Sequence, residues 1–244
     1  MPTPYAYLRK QTLPLSEAKI SIMTHAFLYG TGVFEGIRGN WNADDESMYL
    51  FRVADHYRRL IASCRILRID PAHTVDELCD ITSRLVTASG YREDIYIRPI
   101  AYKAGEVIGP RVHDVDDDLL IFVIPFGAYL DNDKGIRCQT SSWRRVDDTS
   151  IPARAKVTGI YVNSALAKTE ANLNGFDEAI MLNQDGHISE GSGENIVLIR
   201  DGRLVTPARS DNVLEGITLA SVIELARNEL GLEVVERTID RSEL

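Results

Sequence analysis

Pro152-Ala153-Arg154-Ala155-Lys156-Val157-Thr158-Gly159-Ile160-Tyr161 and, further along, Ile188-Ser189-Glu190-Gly191-Ser192-Gly193-Glu194-Asn195 are the two segments from which the chain is read. In the first, a lysine lies among small and apolar neighbours, Ala155, Val157 and Gly159. In the second, a carboxylate sits in a glycine-rich turn, where Gly191 and Gly193 permit the sharp bends that bring a backbone close to a flat ring. The separation lets both side chains face one pocket. An exposed lysine amine is protonated at neutral pH, and burial beside another cation lowers its pKa and makes it nucleophilic. Such an amine with such a carboxylate suits an enzyme holding pyridoxal phosphate: the amine forms the Schiff base, and the carboxylate keeps the pyridine nitrogen protonated. Taken alone, the two residues read equally as solvated charges, so the rest of the chain has to decide.

Upstream of the lysine, the first forty residues read as short strands and turns. Val33 to Trp41 and Met48 to Val53 form a hairpin around the acidic turn at residues 42–46. Tyr57, Leu60, Ile61, Cys64 and Leu67 recur at three- and four-residue steps, which predicts a helix from Ala54 to Arg68. A second helix spans Val75 to Ser89, with Gly90 as its C-cap. Strands follow at Ile95 to Lys103 and Leu119 to Pro125, the latter apolar enough to be covered on both faces. The loop from Ala104 to Asp118 joins them, its acidic run solvated. Residues 126–135 mix Gly, Asp and Asn without periodicity and read as an interdomain linker. The domains are therefore 1–125, small and N-terminal, and 136–244. The second holds a strand from Ile136 to Trp143, a helix from Tyr161 to Leu173, strands at Glu178 to Leu182, Asn195 to Arg200 and Arg203 to Val205, a helix from Ile217 to Leu230, and a short strand from Glu233 to Thr238.

The 244 residues, 44% hydrophobic and 26% charged, are an ordinary globular composition able to bury a sizeable core. A net charge of −9 argues against nucleic acid or an anionic membrane surface as partner, while leaving room for a local basic pocket. No apolar run reaches the ~20 residues of a membrane span and no leader opens the chain, so a cytoplasmic protein is expected. Cys64, Cys79 and Cys138 have no metal-ligand spacing, nor do the histidines, and no metal is expected.

Five stretches in this order carry a family resemblance: Tyr29-Gly30-Thr31-Gly32-Val33-Phe34-Glu35-Gly36-Ile37-Arg38, His56-Tyr57-Arg58-Arg59-Leu60, Tyr96-Ile97-Arg98-Pro99, the lysine segment with the Glu190 segment, and Leu214-Glu215-Gly216-Ile217-Thr218. From about Tyr5 onward the chain resembles the branched-chain amino acid aminotransferases, of the fold-type IV class of pyridoxal phosphate enzymes. The resemblance implies an α/β (α+β) fold of two domains, mixed sheets with flanking helices. It implies a homodimer, each site built from two subunits, and transamination of leucine, isoleucine and valine with 2-oxoglutarate. By the same resemblance Lys156 is catalytic, Glu190 meets the ring nitrogen, and Tyr161, five positions beyond the lysine, meets the phenolic oxygen. Arg59 matches the phosphate-binding arginine, a choice over Arg58 that periodicity alone would not make. Ile217 and Thr218 open a helix whose free amides, with the Thr218 hydroxyl, suit the same phosphate. Tyr29, Phe34 and Gly36 match positions lining the substrate side-chain pocket, and Tyr96 and Arg98 the pair on the side of the α-carboxylate. Tyr129, in the interdomain segment, joins the substrate-binding set.

Two departures bear on this. Residues 102–110 are not the apolar, glycine-rich loop of the branched-chain group, since Lys103 and Glu106 place charges there. That leaves an (R)-amine or D-amino acid transaminase, or a lyase resembling aminodeoxychorismate lyase, as alternative readings. The chain also stops at Leu244, where relatives continue, so the C-terminal domain is expected to be incomplete.

Overall fold

The computed structural model describes residues 2–127 and 135–244. Its packing divides the chain into one unit of residues 1–130 and 155–159 and a second of residues 131–154 and 160–244. Most of the expected linker, residues 128–134 with Tyr129, lies outside the described residues.

The first unit is built on a seven-stranded sheet. β1 (Tyr5–Leu8) and β2 (Gln11–Pro14) form a hairpin, followed by the short helix α1 (His25–Tyr29). β3 (Gly32–Phe34) and β4 (Ile37–Asn42) are separated by Glu35 and Gly36, so the single strand expected from Val33 to Trp41 is broken at that pair. β5 (Ser47–Leu50) completes the acidic-turn hairpin, and the helices α2 (Val53–Ile66) and α3 (Val75–Ser89) follow. β6 (Ile95–Lys103) and β7 (Asp117–Pro125) are the central strands of the order β2-β1-β7-β6-β4-β5, with β3 pairing β6 off this path. Ile95, Ile97, Ala101, Leu119, Ile121 and Val123 turn one sheet face inward, and α3 packs over β1 and β7. Each such aliphatic side chain contributes about 1.5–3 kcal/mol by leaving water. Leu120, Phe122 and Ile124 on the other face of β7 are only half-buried, which corrects the expectation of a strand fully covered on both sides.

α3 has the bounds read from its pattern, because both ends carry local signals. Thr74 and Glu77 form a capping box at the start, and Gly90, at φ 64°, accommodates the left-handed C-cap. α2 ends two residues before the expected Arg68, which itself turns left-handed at φ 52°. Cys64 on its inner face is fully buried, and burial, with Asp117 adding repulsion, pushes its thiol up to about 12. It is a small hydrophobe there.

The second unit has two three-stranded sheets. β8 (Cys138–Thr140), β9 (Glu178–Leu182) and β10 (Ile188–Gly191) form the first, in the order β10-β9-β8. β11 (Leu198–Arg200), β12 (Arg203–Thr206) and β13 (Val234–Glu236) form the second. α4 (Tyr161–Leu173) packs on β9 and α5 (Ile217–Asn228) on β13. Among the described residues no helix is long and apolar enough to cross a membrane.

Candidate active site

Lys156 belongs to the first unit. Its carbonyl accepts from Phe34 N (3.0 Å), its amide donates to Ser63 Oγ (3.2 Å), and Val157 bridges to Val33, so the lysine backbone is stitched to the end of β3 and to α2. Its Nζ lies 5.0 Å from the centroid of the Phe34 ring. Arg98 lies over the same ring at 4.3 Å and over Tyr96 at 5.0 Å, and its Nε donates to Tyr96 Oη at 2.9 Å. The alternation of β6 explains this placement. Ile95 and Ile97 point into the core, so Tyr96 and Arg98 share the opposite face. Gly36 is required beside them, because a Cβ there would run into the Tyr96 ring. Lysine, arginine and two aromatic rings thus gather on one side of one sheet.

Tyr29 sits apart from that cluster in its bonding: its hydroxyl accepts from Gly109 N at 2.9 Å. It anchors the loop after β6. The Lys103 side chain is not part of that loop's surface. It ends β6, is 2% exposed, pairs with Asp117 at 2.7 Å and donates to Arg68 O at 2.5 Å. This corrects the expectation of a loop charge at 103, where a strand end turned the ammonium inward to an acid. Glu106 is exposed as expected.

Arg59 is 12% exposed at its side chain and meets Glu35 twice, Nε to Oε1 at 2.7 Å and Nη2 to Oε2 at 2.6 Å. His56 Nδ1 reaches the same Oε2 at 2.7 Å. Burial pushes the Glu35 carboxyl up, but Arg59 and His56 outweigh it and hold it below the usual carboxylate range. Arg58 is the exposed neighbour, paired with Asp55.

Glu190 belongs to the second unit, and it lies in β10 rather than in a turn. The pairing of β10 with β9 slips between Ile188 and Gly191, a bulge that adds a residue and turns Ser189 and Glu190 both inward. The carboxylate is 6% exposed. Arg145 Nη2 donates to Oε1 at 2.6 Å, while Leu214 N (2.9 Å) and Asn195 Nδ2 (3.2 Å) donate to Oε2. Arg145, Tyr161, Ser164, Glu190, Asn195 and Leu214 line one pocket of this unit. Arg145 escaped the sequence reading, since nothing in Arg144-Arg145 marks which of the two is buried.

Ile217 and Thr218 are the first residues of α5, and its N-cap, Gly216, offers no side-chain cap. The initial amides are those an α-helix leaves without an internal partner. A Cβ at 216 would overlap Asn195 Oδ1, so glycine is what allows Asn195 to bond both Leu214 O and Glu190. Helix start and carboxylate are thereby tied together.

These observations fit a phosphorylated pyridine cofactor. An ionised carboxylate offers about four lone-pair sites, so Glu190, with three donors here, has room for one more N–H. The open helix start of the same unit suits a phosphate.

The sequence model of the amino-transferase class IV family matches residues 32–244. The chain belongs to this family. Its cofactor is accordingly pyridoxal phosphate. Within the family it is similar to the branched-chain-amino-acid aminotransferases. The probable branched-chain-amino-acid aminotransferase of Aquifex aeolicus is 50% identical over 240 residues, 98% of this chain and 77% of that one. The branched-chain-amino-acid aminotransferase of Escherichia coli K12 is 36% identical over 245 residues, covering 98% of this chain and 78% of its own length. Among solved structures, the branched-chain aminotransferase of Thermoproteus uzoniensis with norvaline gives a TM-score of 0.94 at 44% identity, over 98% of this chain and 79% of that one. The holo-form enzyme of Thermobaculum terrenum, with pyridoxal phosphate, gives 0.93 at 40% identity, over 100% and 80%. The mixed α/β fold is that of these aminotransferases.

Proposed function

We propose that this aminotransferase moves the amino group of leucine, isoleucine or valine to 2-oxoglutarate. The observation that supports the reading is the cluster around Phe34: a guanidinium, Arg98, set over the rings of Phe34 and Tyr96, with Lys156 Nζ 5.0 Å from the same Phe34 ring. Aromatic walls favour an aliphatic side chain, and a guanidinium among them suits a substrate carboxylate. The resemblance adds Tyr29 and Gly36 to the same pocket, and Gly36 leaves the space that Tyr96 occupies. Tyr129 is assigned with them by resemblance alone.

Pyridoxal phosphate, when bound, supplies the electron sink for the carbon that loses its proton. Lys156 Nζ holds the cofactor and then moves a proton at the substrate α-carbon. Glu190 accepts the ring N–H, and Arg145 balances its charge. Tyr161 donates to the phenolic oxygen. Arg59, the amides of Ile217 and Thr218, and the Thr218 hydroxyl bind the phosphate, the helix start adding its partial positive charge. The functional state is a homodimer. Exposed Ile20, Ile22, Met23, Phe27 and Leu28 with Ile108 support this, since so many apolar side chains along one short segment ask for a covering surface.

Steady-state amino transfer to 2-oxoglutarate from L-leucine, D-alanine and (R)-1-phenylethylamine tests the substrate assignment. L-Leucine should give the highest kcat/KM by at least tenfold, about 1.4 kcal/mol of selectivity. A higher value for D-alanine or the (R)-amine would replace it with the alternative transaminase.

A further inference from the structure

We propose that Glu35 is a positioning residue which, with His56 and Ser63, fixes Arg59 and the Lys156 segment in one frame and so sets the spacing of phosphate cation and reactive amine. The inference rests on the reading of Arg59 as a phosphate ligand.

Glu35 is fully buried in the break between β3 and β4. A carboxylate is tolerated in such a place only when paired and hydrogen-bonded. Here Arg59 grips it through the Nε–Nη2 edge at 2.7 and 2.6 Å, and His56 donates from Nδ1 at 2.7 Å. That two-point grip fixes the plane of the guanidinium and therefore the direction in which Nη1 points. His56, Arg59 and Ser63 recur at three- and four-residue steps, so they share one face of α2. Ser63, 1% exposed, takes the Lys156 amide at 3.2 Å, and the residue before Glu35, Phe34, bonds the Lys156 carbonyl at 3.0 Å. The contacts close a circuit: Glu35 to Arg59, along α2 to Ser63, across to Lys156, and back through Phe34 to Glu35. All of it lies within the first unit.

The negative charge of Glu35 makes the idea sharp. If electrostatics alone governed the phosphate, removing that charge would strengthen binding. If Glu35 orders a long, flexible arginine, removing it weakens binding despite the gain in net positive charge. The two effects have opposite signs.

Protein freed of cofactor is titrated with pyridoxal phosphate and with pyridoxal, which lacks the phosphate, and binding is followed by absorbance. Glu35→Gln should weaken pyridoxal phosphate about tenfold and leave pyridoxal within about twofold. Glu35→Asp keeps the charge but draws it back by one methylene, and should give a smaller loss in the same direction. This second variant reads the effect even if Glu35→Gln does not fold. In an Arg59→Ala background the Glu35 substitutions should add nothing, as expected of a residue acting through another. Tighter binding, no change, or equal loss of both ligands would overturn the inference. If Arg59→Ala itself leaves the preference for the phosphorylated ligand intact, the underlying phosphate reading fails instead.

Discussion

Glu35 and Glu190 are both buried acids surrounded by donors, and each makes its own experimental demand. For Glu35 the folded pKa is held below its unfolded value of about 4.3, so its stabilisation is complete above that pH and is lost as pH falls through the folded value. The melting temperature of the wild type should therefore exceed that of Glu35→Gln most at pH 7, by the equivalent of about 3 kcal/mol for a broken buried pair, with the gap closing below about pH 4. A gap independent of pH in calorimetry would remove the ion pair as its cause. For Glu190, substitution by Gln leaves Arg145 facing an amide and gives the ring nitrogen a poorer acceptor. Turnover should fall by about 10²–10³, the usual size of losing a preorganised electrostatic partner, while the cofactor's visible band persists. Lys156→Ala should abolish that band, and a retained band would displace Lys156 from its role. Lys156 and Glu190 were singled out by the small residues and glycines around them together with the resemblance. The partners were not. Glu35 was quoted inside a motif, yet its pairing lies 24 positions away in Arg59, and Arg145 looks no different in sequence from Arg144.

At the scale of elements, legibility follows how much of each structure is decided locally. α3, α4, β6 and β9 have the bounds that periodicity, caps and alternation indicate. The β11–β12 hairpin turns through Asp201 and Gly202, both at positive φ, on the residues such a turn prefers. The β1–β2 hairpin uses Arg9 and Lys10 in the same conformation, at φ 52° and 61°, where no turn residue announces it. Its cost is carried by pairing with β7, a neighbour in the sheet but more than a hundred residues away in sequence. The Glu190 segment was read as a turn from its glycines, and the bulge that turns Glu190 inward arises only when β10 meets β9. The start of α5 shows how tightly such an element is held. Gly216→Ala should push Asn195 off Leu214 O and Glu190, since its methyl claims the place of Asn195 Oδ1. We expect a loss of about 1–3 kcal/mol in stability by thermal melting, with weaker pyridoxal phosphate binding in the same protein. Binding and melting unchanged from wild type would mean that the helix start tolerates a side chain.

For the whole molecule, the division of the chain is itself informative, because residues 155–159 pack with the first unit while the chain on either side belongs to the second. Lys156 and Arg59 therefore fold with one body of packing, and Glu190, Tyr161, Ile217 and Thr218 with the other. A net charge of −9 does not attract an anionic cofactor at long range, and local donors have to hold it. If one molecule of cofactor depends on residues from both units, its stabilisation should respond to substitutions in either. At a thousandfold excess over its dissociation constant a ligand adds about 4 kcal/mol, which for a chain of this size raises the melting temperature by roughly 10 °C. Lys156→Ala and Glu190→Gln should each cut that rise by at least half, the rise being read for each variant from its own cofactor-free melting temperature. The decisive result is the comparison. A shift that answers to the first unit's residues and ignores Glu190, or the reverse, would mean that the two sets of residues do not serve the same ligand.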